Sequence, residues 1–479
     1  MAREATDLLV VGGGPAGLAA VVEAAGAGLS VTLVDERPTL GGQIFKQPGL
    51  GFRITEPGEP ARDVRRGRAL IAAAERSRAT LLANTSAVAI RGTSVVVVTD
   101  GEHARGVEAR RVLIAPGAYD RPVVFPGWTL PGVVTAGGLQ SLAKTQAVVP
   151  GQRIVFAGSG PLAVAFPAQL RSYGANVTLV LEAGPSPRPR DIAGILRAAR
   201  GNSALLRDTV AYRARLLRDR VALRYRRIVV RAEGDGRVEA VVHAAADAGW
   251  RPVPGTEERV AADTLCVGYG FVPSVELLRL ADCAFRYDED LGGPVVVRDE
   301  WLRTSAPGIA AAGDGAGVAG SYVAVDEGRL AALGAALDLG FLSHEAAAAD
   351  AEPLRARLES KERFRRALRR LHRVGPGIYE LASPDTVVCR CEEIMSAQVE
   401  EAVAASADIS VVKMLTRVSM GLCQGRNCQR QVLATIARRH GGTIGELPLA
   451  TPRAPARPVA IGAVADASIE DEGFFTVDG

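Results

Sequence analysis

Asp7-Leu8-Leu9-Val10-Val11-Gly12-Gly13-Gly14-Pro15-Ala16-Gly17 is the stretch that decides the fold. A short apolar run enters a glycine turn, an Ala-rich helical stretch follows, and Val31-Thr32-Leu33-Val34 makes a second apolar run ending on Asp35. Strand, turn, helix and strand in about thirty residues is the plan of a βαβ crossover. Gly12 permits the tight turn, Gly14 lets backbone approach a pyrophosphate, and Gly17 permits close helix–strand packing. The helix opening at Pro15 and Ala16 turns its unpaired N–H groups and partial positive charge toward the phosphates. Asp35, 23 residues after Gly12, sits where a carboxylate accepts both ribose hydroxyls, with Glu36 and Arg37 beside it. A lone glycine triplet is weak evidence. With strand, helix and acid all in place, it reads as a nucleotide cradle.

Residues 151–182 repeat the plan. Arg153 to Ala157 is apolar, Gly158-Ser159-Gly160-Pro161-Leu162-Ala163 turns, and Val177 to Val180 is the second strand. The first glycine lies 22 residues before the end of the second strand in both copies, Gly12 to Val34 and Gly158 to Val180. Two dinucleotide folds in one chain follow. By the same offset Leu181 matches Asp35, and the acid Glu182 comes one position later. A carboxylate bond to ribose contributes roughly 1.5–3 kcal/mol, so its loss weakens a nucleotide about ten- to a hundredfold. Gly158, Gly160 and Glu182 are the candidate residues of this second site. NAD, another adenine nucleotide and an empty fold all stay open there, and no arginine is placed to read the 2′-phosphate of NADP.

The 479 residues exceed one compact core, so two or three folding units are expected. A net charge of +4 supplies no basic field of the kind nucleic-acid binding needs. No apolar window of about 18 residues exists to span a membrane, and no signal peptide opens the chain, so a cytoplasmic protein is expected. Strand-rich stretches are predicted at about 84–115 and 209–268. Residues 353–373 read as a basic amphipathic helix with a solvated arginine face. After Pro448 the Pro/Ala-rich composition and acidic end predict an extended arm.

Six cysteines divide unequally. Cys266 and Cys283 stand alone and read as buried, inert thiols. Cys389, Cys391, Cys423 and Cys428 fall in the pattern Cys-x-Cys, 31 residues, Cys-x4-Cys. Four thiolates suit tetrahedral zinc or an iron–sulfur cluster, and unliganded thiols are the third reading. Arg390, Arg417, Arg426 and Arg430 lie close in sequence and are expected, with backbone N–H groups, to offset the cluster's charge. No Cys-x-x-Cys or Cys-x4-Cys precedes residue 389, which excludes a redox disulfide of the thioredoxin-reductase or glutathione-reductase kind.

Ala311-Ala312-Gly313-Asp314 resembles the FAD motif of two-dinucleotide-fold flavoproteins, which implies that Asp314 bonds the ribityl chain. Gly41-Gly42-Gln43 and Ile114-Ala115-Pro116-Gly117 resemble further flavin-domain motifs of that superfamily, adding Gly42, Gln43, Ala115, Gly117 and Gly313 to the FAD candidates. Val388-Cys389-Arg390-Cys391-Glu392-Glu393, Lys413 to Arg417, and Met420 to Cys428 resemble the [2Fe–2S] domain related to bacterioferritin-associated ferredoxin. The second pair departs from the ferredoxin's CxxC. It matches the version fused to α subunits of heteromeric amine dehydrogenases, and Ala118 to Gly138 resembles the same subunits. These include opine oxidase, hydroxyproline and proline dehydrogenases, hydrogen cyanide synthase and, more distantly, sarcosine oxidase. The likeness runs from about residue 5 to 465.

The resemblance implies an α/β fold, with a Rossmann-like FAD domain, an inserted NAD-type domain and a small α-helical [2Fe–2S] domain. The expected division is 1–140 and 291–350 for FAD, 141–290 for the NAD-type domain, 351–380 for a linker helix, 381–448 for the cluster and 449–479 for the arm. It also implies a β subunit with its own FAD that oxidises the C–N bond of an amine, imino acid, amino acid or opine. Some members add an FMN at the subunit interface or a small ferredoxin-like γ subunit. A quinone or cytochrome is the expected electron acceptor. The chain thus reads as an FAD-dependent electron-transfer subunit. A stand-alone NAD(P)H:acceptor flavin reductase is the alternative, and a flavin-stabilised scaffold is the non-enzymatic one. His103, His243, His344, His372 and His440 are scattered, and no residue is assigned as catalytic.

Overall fold

The computed structural model describes residues 5–49, 51 and 62–470, so the acidic end of the expected arm lies outside the described residues. The chain forms two compact units. One takes the chain up to Tyr119, Val272–Lys361 and the residues from Pro452; the other takes Asp120–Phe271 and Glu362–Thr451. The strand Val133–Thr135 joins the second unit because it pairs with Thr264–Gly268. The cysteine segment lies in the second unit and shares its core.

The first unit is built on a seven-stranded sheet. Its order runs Thr80–Leu82, Val31–Val34, Ala5–Val11, Ala104–Ile114, Val95–Thr99 and Ser86–Arg91, and Ile309–Ala311 also pairs with Ala104–Ile114. The predicted crossover is present, with Leu8 opposite Val31 and Val11 opposite Val34 in parallel register. Alternate residues of the first strand serve opposite faces, as a doubly covered parallel sheet requires. Leu8 and Val10 pack with Leu18, Val21 and Leu330. Leu9 and Val11 pack with Val112, Ile114 and Leu278 on the other side. The helix Ser321–Asp338 crosses the helix Pro15–Gly26 closely, since a Cβ on Gly328 would stand 2.0 Å from the Ala16 carbonyl oxygen. The segment after Pro452 is not simply extended: Ile461–Glu470 is helical, and Ala463 is buried among Val88, Ala89, Val97 and Ala104.

The second unit holds a five-stranded parallel sheet in the order Ala222–Tyr225, Val177–Glu182, Ile154–Gly158, Thr264–Gly268, Val133–Thr135. A three-stranded antiparallel sheet, Arg227–Glu233, Ala240–Ala245 and Glu258–Ala261, lies beyond it in sequence. The predicted strand-rich stretch from 209 begins instead inside a helix, Ser203–Arg218. Tyr212 and Leu216, four apart, turn one face of that helix onto the sheet. The cysteine segment is mostly helical, with Ser396–Ala405, Ile409–Thr416 and Gln429–His440 following the short hairpin Val387–Cys389 and Ile394–Met395. Val399, Val403, Val412 and Leu433 share one buried cluster with Trp128, Trp250 and Tyr269. Trp128 Nε1 donates to the Val387 carbonyl at 2.6 Å, and Arg121 and Arg430 both donate to the Tyr379 hydroxyl, at 2.7 and 3.1 Å.

Candidate functional site

In the first unit the motifs separated in sequence meet at the carboxyl end of the sheet, where open α/β folds bind ligands. A Cβ on Gly12 would stand 2.2 Å from the Ala115 carbonyl oxygen, and one on Gly17 would stand 1.9 Å from that of Gly12. Both close approaches therefore need glycine. Gly14 differs: a Cβ there would meet only the Cα of Gly42, at 3.8 Å. The turn thus leaves backbone open above the helix N-terminus at Pro15 and Ala16. Gly41 N–H donates to the Gly13 carbonyl at 2.8 Å, which ties the Gly41-Gly42-Gln43 loop beside the cradle. Gln43 is exposed.

Asp35 is buried and accepts from Gly13 N–H at 2.5 Å and Arg37 N–H at 2.8 Å. Burial raises its carboxyl above the ordinary range, and those two amides oppose the shift. Glu36 points elsewhere, pairing with Arg457 at 3.2 Å. The strand Ile309–Ala311 lies along Val112–Ile114, so Ala115, Gly117, Gly313 and Asp314 follow from neighbouring strand ends. Asp314 Oδ1 accepts from Ala319 N–H at 2.9 Å and Gly320 N–H at 2.8 Å. Burial raises this carboxyl too, against those two donors.

Sequence reasoning missed two residues that hold this corner. Glu327 is buried, accepts from Gly313 N–H at 2.7 Å, and forms a two-point pair with Arg298 at 3.1 and 3.0 Å. Arg298 also donates to the Ala311 carbonyl at 3.0 Å. The available signal was the acidic pair Asp326-Glu327 within an otherwise Ala/Leu-rich helix. Asp326 is buried as well and pairs with Lys361 and Arg357.

The second glycine turn has a similar skeleton with a corrected register. Glu182, not Leu181, stands opposite Gly158, as Asp35 continues the register to Gly12. A register irregularity between Val177 and Leu179 supplies the extra residue that the sequence offset missed. Leu181 is wholly buried. Glu182 accepts from Gly160 N–H at 3.1 Å and Gly184 N–H at 2.8 Å. It is 3% exposed, and burial pushes its carboxyl up to about 7. The Ser159 hydroxyl lies near enough to favour the carboxylate but has no partner in hydrogen-bond geometry.

The four module cysteines come together as two thiol pairs. The Cys389 thiol interacts with that of Cys428 and the Cys391 thiol with that of Cys423, and charge interactions run between the pairs. The Cys428 thiol and backbone N–H groups of Ser419, Glu392 and Cys391 hold the Cys389 thiol down to about 5, against burial. Cys428 is pushed up because it is the partner that keeps the proton and is buried. Ser419 Oγ lies 3.2 Å from Cys428 Sγ, and Cys428 caps the helix Gln429–His440. Among the described residues no three His, Cys, Asp or Glu side chains meet in the arrangement of an ion site. The nearby arginines have other contacts than those expected: Arg417 pairs with Glu392 at 2.9 Å, Arg430 donates to Tyr379, and Arg390 stacks over Trp128. Arg426 donates to the Cys423 carbonyl at 3.1 Å. Cys266 and Cys283 are buried and apart, and burial raises both thiols.

Two Rossmann-type sheets, one carrying an open glycine cradle with buried carboxylates, define a flavin oxidoreductase of the two-dinucleotide-fold class. Residues 6–328 match the pyridine nucleotide-disulphide oxidoreductase family, and the chain belongs to it. Residues 384–467, which include all four module cysteines, match the sarcosine oxidase A3 domain. Among its relatives, hydrogen cyanide synthase subunit HcnB of Pseudomonas protegens is 36% identical over 423 residues, covering 88% of this chain and 89% of that one. An opine oxidase subunit of Rhizobium meliloti is 32% identical over 479 residues, covering 97% of this chain and 88% of that one. The L-proline dehydrogenase structure from P. horikoshii has the same fold, with a TM-score of 0.67 at 22% identity, covering 96% of this chain and 80% of that one. Both sequence relatives are named as subunits, one of a hydrogen cyanide synthase and one of an opine oxidase. No helix among the described residues is long and apolar enough to cross a membrane.

Proposed function

We propose that this chain is the FAD- and [2Fe–2S]-carrying electron-transfer subunit of a heteromeric dehydrogenase or oxidase. Its partner β subunit, on this reading, carries its own FAD and oxidises the C–N bond of an amine, imino acid, amino acid or opine. The observation that carries the reading is the convergence of Cys389, Cys391, Cys423 and Cys428 in a chain that also holds an open dinucleotide cradle. The subunit names of its relatives support a partner. So do Met395, Met414, Leu415, Met420 and Leu422, exposed apolar side chains of the cysteine segment.

The chemistry of the donor sets suits both groups, an open glycine turn for a nucleotide and four thiols for iron. Gly14 leaves the approach to the first helix N-terminus open, and a pyrophosphate binds there through backbone N–H groups. Asp35 orients toward ribose hydroxyls. Asp314 has Oδ1 taken by two amides, and Oδ2 is the atom for a ligand hydroxyl. Glu327 and Arg298 hold the Gly313 turn so that Asp314 keeps its place. Cys389, Cys391, Cys423 and Cys428 would hold the [2Fe–2S] cluster, which would supply one-electron chemistry, and the backbone N–H groups at Cys389 would offset its charge. Flavin takes up two electrons and the cluster passes one at a time, which suits a relay toward a quinone or cytochrome.

Cys423→Ser in the assembled enzyme tests this. Reduction of the acceptor is expected to be abolished while bound flavin and its absorbance stay. Full acceptor reduction by that variant contradicts the relay.

A further inference from the structure

The second glycine turn differs from the first in what lies over it. At the first, the neighbour of Gly14 is another glycine, Gly42. At the second, the imidazole of His372 covers the corresponding Gly160: a Cβ there would stand 3.6 Å from His372 Cγ and 3.8 Å from Nδ1. Two residues beyond the strand-end acid, where the first copy has Arg37, the second has Gly184. A Cβ on Gly184 would stand 2.3 Å from the Leu371 carbonyl oxygen, so this backbone fits only against glycine. Leu371 and His372 therefore lie over both ends of the cradle, the pyrophosphate position at Gly160 and the ribose position beside Glu182.

The covering segment is anchored. Just after it, a Cβ on Gly375 would strike the Gly249 carbonyl oxygen at 2.4 Å, and one on Gly377 would come within 2.7 Å of Arg251 N. Gly377 N–H donates to the Gly249 carbonyl at 2.8 Å, and Glu380 takes a two-point bond from Arg251 at 2.8 and 2.7 Å. Tyr379 is buried and its carbonyl accepts from Gln431 at 2.8 Å. Residues 371–380 form a strap seated by two glycines and an ion pair. His372 Nδ1, in the strap, and Ser159 Oγ, in the glycine turn, are buried without hydrogen-bond partners in good geometry. Burial holds the imidazole down to about 4, so it is neutral at physiological pH and brings no charge to a phosphate. The residues at this fold do not fit the pyridine nucleotide that the family implies.

We infer that the strap of residues 371–380 closes the second dinucleotide fold to NAD(H), with His372 and the Leu371 carbonyl standing in the place of the nucleotide. The consequence for electron flow rests on the proposed relay: with NAD(H) shut out, reducing equivalents reach this chain from its partner. The closure itself stands apart from the relay.

Calorimetric titration of the full-length, flavin-loaded chain with NADH and with NAD+ tests it, alongside His372→Ala and Gly375→Ala. The first variant uncovers Gly160; the second lifts the strap by forcing a Cβ onto the Gly249 carbonyl. Wild type is expected to show no saturable binding up to millimolar nucleotide. At least one folded variant, checked by circular dichroism, is expected to gain binding by tenfold or more. Micromolar binding by wild type overturns the closure. Failure of both folded variants to gain binding overturns the strap as its cause. Neither result alters dithionite reduction of the cluster or the Cys423→Ser phenotype, so the relay is judged separately.

Discussion

Asp35 and Glu182 end the second strands of the two folds, and each accepts from a glycine-turn amide and from the amide two residues on. The second is the more deeply buried, and its carboxyl titrates at about 7 against an ordinary 4.5. A carboxyl raised by folding stabilises the fold fully below its unfolded value, and that contribution is lost as pH rises through the folded value. The Glu182 contribution therefore falls between about pH 4.5 and pH 7, by on the order of 3 kcal/mol. Glu182→Gln has no such titration, so the stability gap between wild type and variant should move against wild type across that window in parallel melts. A pH-independent gap contradicts the buried, proton-holding state of Glu182. At this scale the first cradle was legible, because Gly12, Gly14, Gly17 and Asp35 are local in sequence. The second was one residue out, because the irregularity at Val177–Leu179 leaves no mark in composition. Glu327 was marked only by its place in an Ala/Leu-rich helix and Arg298 by nothing local, since their shared role arises only when the strand Ile309–Ala311 lies beside the helix Ser321–Asp338.

At the scale of elements, the loop Met420-Gly421-Leu422 sets how the two halves of the cysteine pattern meet. A Cβ on Gly421 would stand 2.3 Å from Cys391 Cβ. Gly421→Ala must push the Cys423 loop from the Cys389–Cys391 hairpin, an overpacking that destabilises by about 1–3 kcal/mol. Iron and acid-labile sulfide should fall in the purified variant while flavin content holds. Unchanged iron with unchanged flavin contradicts a cluster shared by the two cysteine pairs. Both βαβ units were legible from apolar runs and glycine turns. The helix Ser203–Arg218 was not, because its arginine-rich surface masks the four-residue spacing of Tyr212 and Leu216. The helix Ile461–Glu470 was hidden by the Pro/Ala-rich stretch before it, and Ala463 is held by burial against the first unit's strands.

For the whole molecule, the chain keeps the two-dinucleotide architecture but has no paired cysteines beside the first cradle. Its four clustered cysteines lie in the second unit instead, with Cys389 and Cys428 buried in the same core as the second parallel sheet. Val399, Val403 and Leu433 need apolar partners, and Trp128, Trp250 and Tyr269 are buried in the same cluster. Such pairings between distant segments carry no local signal.

An anaerobic absorption and EPR spectrum of the purified chain, taken before and after dithionite and then with NADH, tests the electron-transfer reading most directly. Flavin bands at rest, a rhombic S = 1/2 signal after dithionite, and no bleaching by NADH are the predicted result. A colourless protein with zinc at the four cysteines, or rapid flavin bleaching by NADH without any partner, contradicts it.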